Sequence, residues 1–387
     1  MLDFTPVSIM PYFLIMAFIF ATAYGFRFMM PNGFENENKK EIHVQLTGLR
    51  GILALSVFFH HAVISYYFYT GADWGPPPSQ FYTLLGQLPV AIFFSITGFL
   101  FWKKAIHLGG RVNYRQLLSS RVRRLIPAYL LASLVVFLII AVKSDFVIRV
   151  PIYQLIKEAT IFLLTSGNVH TINDLNPSIL GSGAFWTLRY EWKFYFILPI
   201  LAYALTTQFR LRFLIVVVSA FIFYRVLHNF HSMPHSFLFV PGMIAAHLFS
   251  NEKIRHRIAT FYWLPYVGLM ALLLIFITCT TAYSYLSLIL MFIFFTSILW
   301  IPKDFFLYKL LSTRSAILLG TVSYSTYILH SFILTTILSY ITHSLPLFLL
   351  NGINFWITIF ITSMLLIFIS ILSFKFVEYP FMIRLNK

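Results

Sequence analysis

Residues Leu46 to His61, LTGLRGILALSVFFHH, place an arginine at the opening of an apolar helix and two histidines deep inside it. Arg50 and His61 lie about three turns apart, which is roughly 16.5 Å of rise at 1.5 Å per residue. Eleven steps of about 100° leave the two side chains only about 20° apart around the axis. They share one face, and His60 is turned about 80° from it. An arginine at a helix end commonly anchors the helix at an interface, and a buried histidine commonly bonds a neighbouring helix. Ionisable groups inside a membrane span are costly, however, and two on one stripe point to a working site.

Composition decides the class. The chain has 387 residues, 59% hydrophobic and only 10% charged, with a mean hydropathy of +0.82. A soluble chain carries about 25% charged residues. Many apolar runs reach about 20 residues, the length that crosses a bilayer core. The expected fold is all-α, a polytopic membrane helix bundle; a membrane β-barrel would show short alternating segments instead. About eleven spans are expected, near 6–28, 47–69, 86–106, 125–142, 184–206, 213–228, 235–249, 259–279, 283–301, 316–340 and 353–374. The segment 153–165 is too short to span and holds Lys157 and Glu158, so it reads as an interfacial or re-entrant helix. The first apolar stretch is preceded by Asp3 and no basic residue, which argues against a cleaved signal. Cys279 is the single cysteine, so no internal disulfide forms.

The net charge of +16 is explained by the membrane rather than by nucleic acid, because the basic residues fall in alternate loops. One set of loops holds Arg27, Lys39, Lys40 and Arg50, the Lys103–Arg124 group, Arg210 and Arg212, Lys253–Arg257, Lys303–Arg314, and Lys375, Arg384 and Lys387. The opposite side has Lys143, Arg149, Lys157 and Arg225. The first set is expected to face the cytoplasm, with the N-terminus outside and the C-terminus inside.

Several stretches carry polar groups that packing does not require. Between Arg111 and Arg124 stand five arginines and no acid, and RVRR runs into Leu125-Ile126-Pro127 at an expected helix start. The excess serves topology and anionic lipid; at a helix N-terminus, Arg121, Arg123 and Arg124 would also make a phosphate site. The long polar connector Lys143–Gly183 has the length of a lid or binding loop. In FWTLRYEWKFY, Arg189, Glu191 and Lys193 stand near the outer boundary, with Tyr195 one turn deeper than Glu191. They form either an ion pair in an aromatic belt or an acceptor pocket whose carboxylate orients or deprotonates a hydroxyl. GTVSYSTYILH places His330 about 21 Å into the tenth span, after Ser323, Ser325 and Tyr327. Small hydroxyls glue membrane helices, but a second membrane histidine suggests a polar interior path. Glu378 reads as a structural partner for cytoplasmic arginines. Metal spacing in the His228–His235 loop is poor, and no metal is expected.

LTGLRGILALSVFFHH, ITGFLFWKK, RVRRLIPAYLL, FWTLRYEWKFY, SYSTYILH and FVEYP occur in an order that resembles the acyltransferase family 3 membrane enzymes, over residues about 46 to 380. That family's signature of a basic residue, ten residues and a histidine maps onto Arg50 and His61. The chain departs from the family pattern at Thr47, where Asp is common, and at Thr97, where Ser is common. The resemblance implies a ten-helix acyltransferase domain, here 41–387, preceded by an extra span and cytoplasmic linker at 1–40. It implies transfer of an acyl group, most often acetyl, from cytoplasmic acyl-CoA to a hydroxyl of a surface or lipid-linked carbohydrate such as lipopolysaccharide O-antigen. The setting it implies is the bacterial inner membrane, amid membrane lipids, with acetyl-CoA as co-substrate, no permanently bound cofactor and no nucleic acid partner. Under this reading His61 and Glu191 are catalytic. Arg50, Arg121, Arg123 and Arg124 bind the donor. Arg189, Tyr195, Ser323, Tyr327 and His330 hold the acceptor or support the site. The rival class is a transporter or flippase for a lipid-linked glycan, which would show paired inverted halves; no repeat is found in the loops or motifs.

Overall fold

The computed structural model describes residues 4–31, 43–179, 182–206, 234–345 and 348–383. The expected span at 213–228, His228 and His231, and the basic residues Lys39, Lys40, Arg210, Arg212, Arg225, Arg384 and Lys387 lie outside them. The helices are α1 (Ile9–Thr22), α2 (Val44–Tyr69), α3 (Gln80–His107), α4 (Tyr114–Lys143), α5 (Ile152–Leu164), α6 (Trp186–Thr206), α7 (Val240–Ser250), α8 (Glu252–Ala259), α9 (Leu264–Thr278), α10 (Tyr285–Leu299), α11 (Phe306–Leu311), α12 (Arg314–Thr321), α13 (Ser323–Ser344), α14 (Gly352–Ser373) and α15 (Tyr379–Ile383). A π-helical turn, Phe374–Glu378, joins the last two. The protein is an all-α polytopic bundle; among the described residues, strand pairing is limited to an isolated bridge between Ile172 and Leu175.

Five of these helical segments are long and apolar enough to cross a membrane, and seven spans result if each of two bent pairs counts as one. The pairs are α8 with α9, bent by 83°, and α12 with α13, bent by 68°. The segments His235–Ser250 and Tyr285–Leu299 are apolar but shorter, and α6 carries three charged residues in its first half. Outside 213–228, every expected span therefore meets a helix or a bent pair. Two expectations are corrected. First, the tenth span is not straight: α13 starts afresh at Ser323, so His330 is only about 10.5 Å from its helix start. Second, RVRR does not open a helix. Asn113 caps α4, its Oδ1 accepting from Gln116 N, and α4 runs through Pro127. A proline removes one N–H and the bond to the carbonyl four residues back, yet membrane helices tolerate it where neighbours satisfy the freed groups. The arginines therefore offer side chains, without the free N–H groups of a helix end.

The chain forms two compact units. The first comprises residues 1–89, 120–189 and 309–387. Its core holds Phe58, Phe59, Tyr82, Phe162, Phe185 and Phe355, all fully buried. Small residues bring α2 onto the 311–320 segment: a Cβ at Gly48 would overlap the Leu311 carbonyl, and one at Gly320 the Thr47 carbonyl. α1 is tied into the same unit. Tyr12 and Ser56 hydroxyls meet at 3.1 Å, Tyr82 Oη donates to Ser8 O, and Trp356 Nε1 donates to Thr5 O. The second unit comprises 90–119 and 190–308. There Phe194 stacks on Phe239 at 4.3 Å, and Ser95 Oγ donates to Leu238 O. Gly242 sits so close to Ser95 O and Phe99 N that no Cβ would fit.

Candidate active site

α2 is unbroken for 26 residues, so Arg50 and His61 do lie on one stripe of one helix. His60 and His61 then part ways. His60 Nδ1 is 2.7 Å from Tyr82 O, and its ring packs where a Cβ on Gly86 would stand. It pins α2 to α3. His61 Nδ1 is 3.0 Å from Val57 O and 3.1 Å from His330 Nε2. His330 is fully buried, whereas His61 keeps some accessible surface. His330 Nδ1 is 2.6 Å from Tyr327 O, and its Nε2 is 3.1 Å from Ser331 Oγ.

Carbonyl oxygens only accept, and this fixes the protons. His330 must carry its proton on Nδ1 to donate to Tyr327 O. Its Nε2 is then a lone pair, able to accept from His61 or from Ser331 Oγ–H. His61 must carry its proton on Nδ1, which donates to Val57 O and His330 Nε2. That leaves the lone pair of His61 on Nε2, and among the described residues nothing hydrogen-bonds that atom. A neutral imidazole held in one tautomer with its outer nitrogen open has the form a general base or nucleophile needs. The logic is that of an oriented base, here with an imidazole as the orienting group.

At the other end of the stripe is a charged mouth. Glu378 is fully buried in the π-helical turn. One of its oxygens accepts from Ser325 Oγ, which in turn can accept from Ser373 Oγ at 3.0 Å; Glu378 Oε2 has no hydrogen-bond partner among the described residues. Arg124 and Arg50 both act on Glu378 through their charge. Tyr324 Oη donates to Leu125 O, tying α13 to α4 at the same level. Four helical segments therefore converge on one carboxylate and two guanidinium groups. Arg121 Nε donates to Ser120 Oγ, and Arg123 is partly buried on the same helix.

The remaining expected residues are distributed as follows. Ser323 is buried, its Oγ without a hydrogen-bond partner among the described residues. Tyr327 Oη donates to Ala184 O, at the entry of α6. Arg189 belongs to the first unit, while Glu191 and Tyr195 belong to the second. Tyr195 is buried, and its Oη donates to Glu191 Oε2 at 3.1 Å. Residues two apart on a helix point to different sides.

Two features escaped the sequence reading. One is the direct contact of the two histidines, 269 positions apart. The other is Glu158, buried in α5 within the Lys143–Gly183 connector. It accepts from Gln154 Nε2, Thr171 Oγ1 and Asn173 N. A carboxylate in a segment too short to span was the available signal for a loop anchor.

A polytopic helical bundle with an oriented imidazole below one surface and guanidinium groups at the other end of the stripe defines a membrane protein with a chemical site. Residues 43–374 match the acyltransferase domain family known as acyltransferase family 3, and the chain belongs to it. The match leaves α1 outside. No curated protein and no solved structure matches the chain.

Proposed function

We propose that this acyltransferase takes an acyl group, most simply acetyl, from cytoplasmic acyl-CoA and passes it to a hydroxyl of a surface or lipid-linked carbohydrate such as lipopolysaccharide O-antigen. The observation that carries the reading is the oriented His61–His330 pair, one helix stripe away from Arg50. The phosphates of CoA are recognised by Arg50 and Arg124, with Arg121 and Arg123 beside them. The thin pantetheine arm follows the stripe, and the roughly 16.5 Å rise to His61 is of the order of that arm's length. At its end the thioester carbonyl meets His61.

His61 Nε2 takes the proton of the acceptor hydroxyl as its oxygen attacks the thioester carbon. The C–S bond breaks, and the thiolate leaves with the proton from the imidazolium. The same lone pair also serves a two-step route, in which Nε2 attacks the thioester carbon and expels the thiolate, and the acceptor hydroxyl then attacks the acyl-imidazolium, restoring neutral His61 and giving its proton to the thiolate. Glu191, held by Tyr195, orients the acceptor. The chain works in the bacterial inner membrane with the arginine mouth in the cytoplasm. A charged CoA head does not cross the hydrocarbon core, so the two substrates arrive from opposite sides.

Sealed liposomes with known protein orientation test this. Acetyl-CoA added only on the arginine side should label a glycan enclosed on the other side. Transfer that occurs only when both share one compartment rules out the cross-membrane route. Absence of any acetyl-CoA consumption rules out the donor.

A further inference from the structure

The first unit holds a cavity of about 200 Å³. Its polar wall is made by Ser166, Asn168 and His170 from the loop after α5, by Ser178, and by Trp186 and Arg189 from the first turns of α6. None of its described lining residues is acidic. The loop is held in shape from outside the cavity. Glu158 clamps Thr171 and Asn173. Ser166 and Gly167 take left-handed backbone conformations, and Gly167 N closes α5 by donating to Phe162 O. Tyr129 Oη fixes the same carbonyl. The wall is therefore preorganised before any ligand arrives.

Arg189 gives the cavity its specificity. Its Nε is buried and has no hydrogen-bond partner among the described residues. A guanidinium is always charged and offers donors in a planar fork. The side chain is partly buried, and a guanidinium donor without a protein partner leaves hydrogen-bonding capacity for a ligand. The complement of that fork is a carboxylate or a phosphate. The hydroxyls, the amide and the indole around it suit a sugar, whose hydroxyls need polar partners and whose ring presents an apolar face.

We propose that this cavity is a subsite for an anionic sugar of the acceptor, its carboxylate or phosphate held by Arg189. The proposal rests on the carbohydrate acyltransferase reading and narrows it: the acceptor is an acidic glycan.

Saturation-transfer difference NMR on the full detergent-solubilised chain tests it, with methyl glucuronide, glucose 6-phosphate and methyl glucoside as probes. At least one anionic probe should saturate, and methyl glucoside should bind about tenfold more weakly or worse. The two anionic probes separate carboxylate from phosphate. Arg189→Gln should abolish the preference, and Arg189→Lys should restore part of it, each variant being first shown to elute as the wild type does. Equal binding of neutral and anionic probes, no saturation by any probe, or an unchanged preference in Arg189→Gln overturns the subsite. Acetyl-CoA hydrolysis by the wild type and its loss in His61→Ala are measured separately. They decide the transferase reading whatever the NMR shows.

Discussion

Nδ1 of His61 stands 3.1 Å from Nε2 of His330, and each ring is also tied to a backbone carbonyl of its own helix. The two carbonyls leave a single consistent set of protons, and that set opens His61 Nε2. His330 therefore acts through His61, as a positioning residue. His330→Ala should lower kcat by about a hundredfold or more, because the imidazole loses its orientation and its tautomer. KM for acetyl-CoA should change little, since the arginine mouth is untouched. His330→Gln, whose amide oxygen can still accept from Nδ1, should recover part of the loss. Steady-state kinetics on the three proteins and their pH profiles check this. Equal damage by Ala and Gln, with unfolding, would reduce His330 to packing.

His60 and His61 should separate cleanly. His61→Ala removes the open lone pair and should abolish transfer. His60→Ala removes the bond to Tyr82 O and leaves a cavity beside Gly86, which should cost about 1–3 kcal/mol of stability while substantial activity remains. Thermal melts and activity at equal protein level read both. Gly86→Ala should mimic His60→Ala, since its Cβ would collide with that ring.

Much of this was readable in the residues, and the reasons for the rest are physical. Helical period alone put Arg50 and His61 on one face, and α2 has that form. The same arithmetic misjudged α13. The bend at Val322 follows from packing: Gly320 presses on Thr47 and turns α12 into α2. No local signal in GTVSYSTY reports that. RVRRLIP does not open a helix, because α4 already starts at the Asn113 cap and in a bundle the neighbours satisfy what Pro127 frees. Pairings between distant segments, such as His61 with His330 or Glu158 with its loop, cannot be read from a single chain's periodicity.

The close approach of α2 to the 311–320 segment makes Gly320 a sensitive position. Gly320→Ala should force the helices apart and destabilise the protein by about 1–3 kcal/mol. Because Gly320 seats the Gly48–Gly51 stretch of the helix that carries Arg50, donor binding should weaken as well. Thermal melting and KM for acetyl-CoA test both halves. Gly109→Ala, at a left-handed loop position remote from that approach, should cost some stability through backbone strain but leave KM alone.

Orientation is open to a direct test. Ser79 lies in the connector between α2 and α3, and Ser119 is exposed on α4 among the arginines. Single cysteines at these positions should label from opposite sides with an impermeant thiol reagent. The native Cys279 is buried and should stay silent. Labelling of both from one side would break the expected topology.

The charged mouth divides into a structural half and a binding half. Glu378 is fully buried among Arg50, Arg124 and Ser325. Removing it leaves two partly buried guanidinium groups short of a counter-charge and Ser325 Oγ short of an acceptor. Glu378→Ala should therefore lose stability first, and Glu378→Gln less, because its amide still bonds Ser325. The two guanidinium groups carry one more positive charge than this carboxylate balances, and that surplus is what the donor's phosphates would meet. Arg50→Gln and Arg124→Gln should raise KM for acetyl-CoA about tenfold with kcat nearly unchanged, the pattern of a lost binding contact. Arg50→Lys keeps the charge and loses the fork, so it should fall between. The discriminating donor is the dephospho form of acetyl-CoA. If the arginines read phosphate, the wild type should bind this donor more weakly, and the variants should lose less on it than on acetyl-CoA itself. An equal loss on both donors would place Arg50 and Arg124 in the scaffold with Glu378 and leave the CoA phosphates to other residues.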